Sequence, residues 1–208
     1  EDPERDWMEN LSAPGHHYFE SHLPTLLPEL TGLELVTGAY VGPPFIRHQT
    51  VRFESRRLDG RAIGAWSSDE LRALFDRYAI GEVLVWSDDA RAALASRPEV
   101  VEPHGGLGGF TLFRVRAPSS RFLLGRGRIE TSLDRIELSE LVPEEGRVAI
   151  RYHYDPRLRA VPEVAIERVV VDGDPIGFIA LRDPPPRVRL GFRPEAEPIE
   201  PGWDAVWL

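Results

Sequence analysis

The chain has 208 residues, 42% of them hydrophobic, which is enough to form one large domain or two small ones with an ordinary core. Its net charge of −9 argues against a nucleic-acid partner, because binding to phosphate backbones depends on clustered cations. The absence of cysteine excludes disulfides, thiolate nucleophiles and cysteine-ligated zinc. The sequence contains no uninterrupted apolar run of about 18 residues, the length that a bilayer-spanning helix needs.

The amino-terminal part predicts a short helix followed by strands. Residues 16 to 31 form an apolar helical face that is interrupted by two prolines, and residues 33 to 41 have the composition of a strand. His48 and Gln49 follow a stiff Gly-Pro-Pro segment, and loops held by prolines often present polar side chains to a ligand. These two residues are therefore candidate contacts, although structural hydrogen bonding is the simpler interpretation.

A histidine cluster lies inside the first predicted helix. His16, His17 and His22, with Glu20 nearby, are the residue types that bind zinc. Their spacing matches no HExxH pattern, and the adjacent His16 and His17 point to different sides of any regular element. We therefore interpret the cluster as locally hydrogen-bonded or solvent-exposed, and we expect neither a metal nor a cofactor.

Two helices flank an apolar strand in the next segment. Ser67 with Glu70 three residues later is a capping-box pattern that predicts a helix over residues 67 to 80. The segment EVLVW at 82 to 86, apolar from Val83 to Trp86, predicts a strand of a parallel sheet with both faces covered. Ser87 or Asp88 then caps a second predicted helix, which stops before Pro98.

The glycine-rich segment at 100 to 115 predicts two strands joined by a hairpin loop. It is not a phosphate-binding loop, because the glycines open no helix and no Gly-Lys-Ser/Thr motif follows them. Residues 1 to 117 are thus predicted to form a small α/β domain with a mixed sheet.

The remainder of the chain predicts an all-β module. Short, evenly spaced apolar segments with turn residues between them indicate an antiparallel, jelly-roll-like sandwich over residues 118 to 194. The predicted strands cover residues 122–130, 134–141, 147–154, 163–171, 177–182 and 187–193. The tail at 195 to 208 is rich in proline and glutamate and is predicted to be extended.

Trp86 is the central candidate for ligand contact. A tryptophan at the carboxyl end of a parallel strand, beside the positive end of the next helix, lies where open α/β sheets commonly bind ligands. The competing interpretation is purely structural, because Ser87 and Asp88 are typical caps and Asp89 complements the helix dipole. A contact surface based on aromatic stacking and a few hydrogen bonds would combine Trp86, Trp66, Tyr40, His48 and Gln49.

Three segments resemble the soluble region that follows the membrane helices in large bacterial polytopic proteins. They are TLLPELTGLELVTGAYVG (25–42), RYAIGEVLVWSDDARAAL (77–94) and VVEPHGGLGGFTLFRV (100–115). The proteins in question are glycosyltransferase-like members of the C-type superfamily, including those described as 6-pyruvoyl-tetrahydropterin synthase-related membrane proteins. The likeness is carried by Tyr78 to Trp86 and by Phe110 to Val115. YHYDPRLRA (152–160) is also similar, but it has Pro156-Arg157-Leu158 where that family has Gly-Trp.

The resemblance implies an extracytoplasmic accessory domain that is tethered to the membrane by the transmembrane part of its parent protein. Such a domain would recognise or position a glycan, a lipid-linked sugar or another acceptor. In the wider superfamily the catalytic acid lies in a loop between early transmembrane helices, so the resemblance implies no catalytic residue here. The chain opens on Glu1 rather than methionine, as expected of an excised or processed piece.

Two other hypotheses remain open from the sequence. One is a stand-alone secreted hydrolase or transferase with a site between the two modules, using acids such as Asp88 and Asp89. Adjacent acids project about 100° apart on a helix, which is poor geometry for the facing carboxylates of a glycosidase. The other is a non-catalytic structural or protein-contact domain.

Overall fold

The structure is a computed structural model, and it describes residues 53–54, 57–85, 87–107, 109–131 and 135–192. The predicted first helix and strand, the histidine cluster and the proline-rich tail lie outside the described residues. None of the helices in the described ranges is long and apolar enough to cross a membrane.

A small antiparallel ribbon opens the described chain. It consists of β1 (Phe53–Glu54), β2 (Arg57–Leu58) and β3 (Arg61–Ala62), followed by a 3-10 turn at Ile63–Ala65. Asp59 and Gly60 connect β2 to β3 with φ angles of 49° and 73°. Asp-Gly suits such a two-residue turn because both positions require positive φ.

The two predicted helices are confirmed, together with their caps. Helix α1 spans Ser68–Arg77, and Ser67 and Glu70 form the predicted capping box. Each side chain of that pair accepts a hydrogen bond from the other residue's backbone N–H. Helix α2 spans Asp88–Ala95, and Ser87 rather than Asp88 is its cap, accepting from the N–H of Ala90 at 3.3 Å.

A three-stranded sheet packs against these helices. It contains β4 (Glu82–Val85), β5 (Val101–Leu107) and β6 (Phe110–Val115) in the order β4-β6-β5, and the predicted hairpin is β5-β6. The prediction that β4 is a buried parallel strand is wrong, because β4 runs antiparallel to β6 and exposes Glu82 and Leu84. The face turned away from the core exposes Glu82 and Leu84 of β4 and Arg114 of β6. Every strand pairing in the described part of residues 1 to 117 is antiparallel, so the predicted mixed sheet does not form there.

The rest of the described chain is β-structure, as predicted, in two four-stranded antiparallel sheets. One has the order β12-β13-β10-β7, with β12 at Ile166–Val169, β13 at Phe178–Arg182, β10 at Arg147–His153 and β7 at Phe122–Leu124. The other has the order β11-β14-β9-β8, with β11 at Leu158–Val161, β14 at Val188–Phe192, β9 at Arg135–Val142 and β8 at Arg126–Thr131. All six predicted segments contain strands, and β11 is an additional one.

The order of these strands differs from that of a jelly roll. Consecutive strands β8 and β9 pair within one sheet, whereas a jelly roll keeps its second and third strands in different sheets. The jelly-roll-like part of the prediction is therefore wrong. The two sheets are nevertheless stacked, since one buried apolar cluster takes Ile150 and Leu181 from the first sheet and Leu138 and Leu190 from the second.

Gly125 divides a segment that the sequence analysis treats as one strand. It has φ +72°, and a Cβ at this position would lie 2.9 Å from the carbonyl oxygen of Val142, so glycine alone fits without strain. The chain therefore turns a corner here, with β7 ending one sheet and β8 ending the other. Two edge strands consequently lie on either side of one glycine.

A second apolar cluster lies beneath the helices and reaches into the β-rich part of the chain. It combines Leu71 and Phe75 of α1 with Phe113 of β6, and it also includes Phe178 of β13. The neighbouring Ile179 belongs to the cluster between the two large sheets. Residues on either side of the predicted boundary at 117/118 thus share a core, and the boundary itself stays a prediction.

Candidate functional site

Among the five residues predicted to form a contact surface, Trp66 is the one that lies within the described residues; Trp86, Tyr40, His48 and Gln49 lie outside them. Trp66 is half-buried directly after the 3-10 turn and packs against the core beneath the helices. Its carbonyl oxygen accepts a hydrogen bond from Arg97 Nη2 at 2.6 Å. The backbone around this ring is therefore held by Arg97, which lies just after the end of α2.

Arg61 covers the ring of Trp66. The guanidinium carbon lies 4.1 Å from the ring centroid, and the same guanidinium makes a bidentate ion pair with Glu70 at 2.8 and 2.9 Å. A sugar could stack on this face only by displacing Arg61 from Glu70. The geometry thus favours a structural role for Trp66.

The acids considered for an alternative catalytic site lie on the surface. Asp88 and Asp89 are exposed in the first turn of α2, and Asp88 pairs with Arg91 at 3.2 Å. This arrangement supports the helix through its dipole and an i,i+3 pair.

A buried polar cluster, which sequence reasoning missed, joins α1 to the large sheets. Asp174 has a fully buried side chain, and its Oδ2 accepts hydrogen bonds from the Tyr78 hydroxyl at 2.8 Å and from His153 Nε2 at 2.9 Å. Its Oδ1 accepts from the backbone N–H groups of Ile176 and Gly177 at 2.9 and 2.6 Å. We call Tyr78, His153 and Asp174 the buried triad.

The carboxylate of the buried triad is ionised. Burial is the largest single influence on the pKa of Asp174 and would raise it, but hydrogen bonds from Gly177, His153 and Tyr78 together outweigh burial and lower the pKa to about 2. An ionised carboxylate only accepts hydrogen bonds, so His153 carries its proton on Nε2. Both oxygens of Asp174 are thereby saturated.

Aromatic packing fixes the other two members of the triad. The His153 ring stacks on Phe178 with centroids 5.3 Å apart and an interplanar angle of 7°, and Tyr78 meets both rings edge-on. A catalytic acid or base must be able to exchange a proton with a substrate, and this carboxylate is sealed from solvent with all its acceptor positions used. The contacts of the triad tie the end of α1 to the large sheets.

The sequence contains only weak signals for this cluster. Tyr78 continues the apolar face of α1, His153 sits between two tyrosines in a strand pattern, and Asp174 looks like an ordinary turn residue. Asp174 does have a glycine three positions later, which fits a side chain that folds back onto its own backbone. Nothing in the spacing of 78, 153 and 174 shows that the three meet.

An open cleft lies where the two large sheets part at Gly125. Its volume is about 400 Å³. We call it the edge cleft, and its lining residues are Ser120, Arg121, Phe122, Gly127, Arg128, Ile129 and Glu130. β7 and β8 are the outermost strands of their sheets among the described strands, so the cleft lies along two sheet edges.

Arg121 organises the edge cleft. Its Nη2 donates to the carbonyl oxygen of Ile129 at 2.9 Å, and its Nη1 donates to the Tyr152 hydroxyl at 3.3 Å. The guanidinium thus bridges β8 of one sheet to β10 of the other. Arg128 and Glu130 are exposed on β8, and Arg128 lies 3.7 Å from Glu140 in a loose surface pair.

Within the described residues, no three histidine or acidic side chains converge in an arrangement that could hold a metal ion. Comparison of the chain with protein-family models, with curated protein sequences and with solved structures finds no match.

Proposed function

We propose that the chain is a non-catalytic, glycan-recognising module of a membrane glycosyltransferase-like protein, and that the edge cleft is its acceptor surface. The resemblance of the segments Tyr78 to Trp86 and Phe110 to Val115 to such proteins motivates the choice of parent and the extracytoplasmic location. The cleft, lined mostly by polar and charged side chains beside the half-buried Phe122, is the observation that carries the binding role.

The lining of the edge cleft suits a sugar. Its volume of about 400 Å³ falls in the range of small-ligand sites. The half-buried Phe122 supplies apolar surface for the C–H face of a sugar ring, while Ser120, Arg128 and Glu130 supply donors and acceptors for its hydroxyls. A single ring, or two, would be held by few polar contacts, as expected of a module that positions an acceptor and then releases it.

The edge cleft is also held in shape before any ligand arrives. The hydrogen bond from Arg121 to the carbonyl oxygen of Ile129 joins the two walls, a second one ties Arg121 to Tyr152 of β10, and Gly125 fixes the corner between β7 and β8. A ligand would therefore lose little affinity to ordering of the protein.

Its single acid favours recognition over hydrolysis. Glu130 is the one carboxylate among the residues that line the cleft. Glycoside hydrolysis requires two carboxyl groups on opposite sides of the scissile bond, about 5 to 10 Å apart.

The test is a binding measurement on the full chain. An array of neutral and acidic oligosaccharides would identify a ligand, and calorimetry would give its affinity for the wild type and for Arg128→Ala and Phe122→Ala. Arg189→Ala is the matched control, since Arg189 is exposed on β14 of the same sheet, two strands from β8. We expect Arg128→Ala to weaken binding by roughly tenfold or more, as when a charged hydrogen bond is lost. Equal affinities for Arg128→Ala and Arg189→Ala, or no ligand on the array, would remove the edge cleft as the acceptor surface.

A further inference from the structure

The edge cleft and the carboxyl-terminal part of the chain carry opposite charge. Arg121 and Arg128 line the cleft with one acid, Glu130, and the Arg128 side chain stays 69% exposed in its loose surface pair with Glu140. Residues 193–208, RPEAEPIEPGWDAVWL, contain four acids and one arginine. The whole chain has a net charge of −9, of which residues 193–208 contribute −3 (four acids and one arginine), so a site with excess arginine is where such a segment would be attracted.

The exit point of β14 places this segment within reach of the cleft. Leu190 pairs with Ile136 of β9, and Ile136 pairs with Thr131 of β8, so the three residues form a row across the sheet. Adjacent strands are about 4.8 Å apart, which puts Leu190 roughly 10 Å from Thr131. Three or four extended residues beyond Phe192 can cover that distance, since each spans at most about 3.5 Å.

Arg121 determines what kind of contact the edge can make. Because its guanidinium occupies the carbonyl oxygen of Ile129, an incoming segment cannot pair continuously along β8 as an additional strand. The incoming segment is also unsuited to continuous strand pairing, because it has prolines at 194, 198 and 201, which lack a backbone N–H. The cleft and residues 193–208 can still make contact through carboxylates and apolar side chains.

We propose that residues 193–208 of this chain occupy the edge cleft when no other ligand is present, with their acids directed at the arginines of the cleft. The inference goes beyond the proposed function, because the contact needs no glycan. Where a glycan does bind, it has to displace the segment, so the tail sets the apparent affinity of the acceptor surface.

The absence of cysteine allows a direct test in the full chain. One variant combines Glu130→Cys in the cleft with Glu197→Cys in the tail, and Glu195→Cys and Ile199→Cys replace Glu197→Cys in parallel versions to cover the register. The matched control pairs the same tail positions with Arg168→Cys. Arg168 is exposed on β12, an edge strand of the other large sheet among the described strands, which contacts β11, the neighbour of β14 on the side away from β9.

The rate of disulfide formation at low protein concentration is the measurement. We expect at least one tail position to oxidise with residue 130 about tenfold faster than with residue 168, because a docked segment has a high local concentration at the cleft. Adding Arg128→Glu to the faster variant should bring the two rates together. Equal rates for all pairs would overturn the proposal, and so would a disulfide that forms only between two molecules, which would assign the cleft to a second copy.

The oxidation rates do not depend on any sugar, so their outcome is separate from that of the proposed function. Fast oxidation with no glycan bound by any variant would keep the tail contact and remove the glycan role. Glycan binding with equal oxidation rates would do the reverse.

Discussion

Two carboxylates in this molecule have the same pKa and contrasting surroundings. Asp174 of the buried triad and Glu70 at the start of α1 both have a pKa lowered to about 2. Asp174 is sealed between a helix and a sheet, whereas the Glu70 side chain is about half exposed. Hydrogen bonds from Arg61 and from the backbone and side chain of Ser67 lower the pKa of Glu70, with little opposition from burial.

The comparison shows that a lowered pKa reflects the hydrogen-bond donors around a carboxylate, and that it does not measure how much the carboxylate contributes to the stability of the fold. Water can replace the donors of Glu70 if they are lost, and salt screens its ion pair with Arg61. The buried side chain of Asp174 has no such access to water, and its removal takes the acceptor from the buried Tyr78 hydroxyl and from the part-buried His153 N–H. The two sites should therefore respond differently to the same change.

Neutralising Asp174 should have the largest effect. Asp174→Asn keeps the shape of the side chain but turns an acceptor of four hydrogen bonds into a group that presents an N–H to some of the same donors. We expect the free energy of unfolding to fall by about 2 to 4 kcal/mol, measured by urea denaturation at neutral pH. Glu70→Gln is the matched acid-to-amide control, and an equal loss in both variants would contradict the distinction between the two sites.

Acid should remove the contribution of Asp174 in a defined window. Because its pKa is about 2 in the folded chain and about 4 in an unfolded one, the carboxylate stabilises the fold fully above about pH 5. That contribution, about 2 kcal/mol, is lost as the pH falls from about 5 to 2. The stability difference between wild type and Asp174→Asn should therefore shrink on acidification. A difference that stays constant from pH 5 to pH 2 would show that this carboxylate is not ionised as described.

The smallest effect is expected at Glu70. Glu70→Gln retains a side-chain oxygen for the N–H of Ser67 but gives up the charge that Arg61 pairs with. We expect a minor decrease in melting temperature at low salt that disappears near 1 M salt, because an exposed ion pair is screened. A decrease that persists at high salt would show that the contribution of Glu70 to stability is not screened, and would contradict the distinction drawn between Glu70 and Asp174.

Local signals explain which parts of the fold could be predicted. The caps of α1 and α2 are satisfied within three residues of Ser67 and Ser87, so the sequence alone specifies them. The strands of the two large sheets follow from alternation and turn residues. The orientation of β4 could not be predicted, since an apolar run of four residues looks the same in parallel and antiparallel sheets. The order of the strands in the sheets could not be predicted either, because pairing partners lie far apart in the chain.

The sites were harder to predict than the fold. The buried triad assembles residues separated by 75 and 21 positions, and none of the three stands out from its local pattern. The edge cleft exists because Gly125 directs the chain from one sheet into the other. The chain has eighteen glycines, and no local pattern in the sequence distinguishes Gly125 from the others as the residue at this corner. Trp66, by contrast, stood out in the sequence because of its residue type, and it packs beneath Arg61.

Phe178 couples the unfolding of the helices to that of the β-rich part of the chain. Its ring belongs to the apolar cluster under α1, while the next residue along β13 belongs to the cluster between the large sheets. A cut near residue 117 would expose this ring, His153 and Asp174 to water on one fragment and Tyr78 on the other. Melting of the intact chain should accordingly be a single cooperative event over these regions, in which neither half outlasts the other.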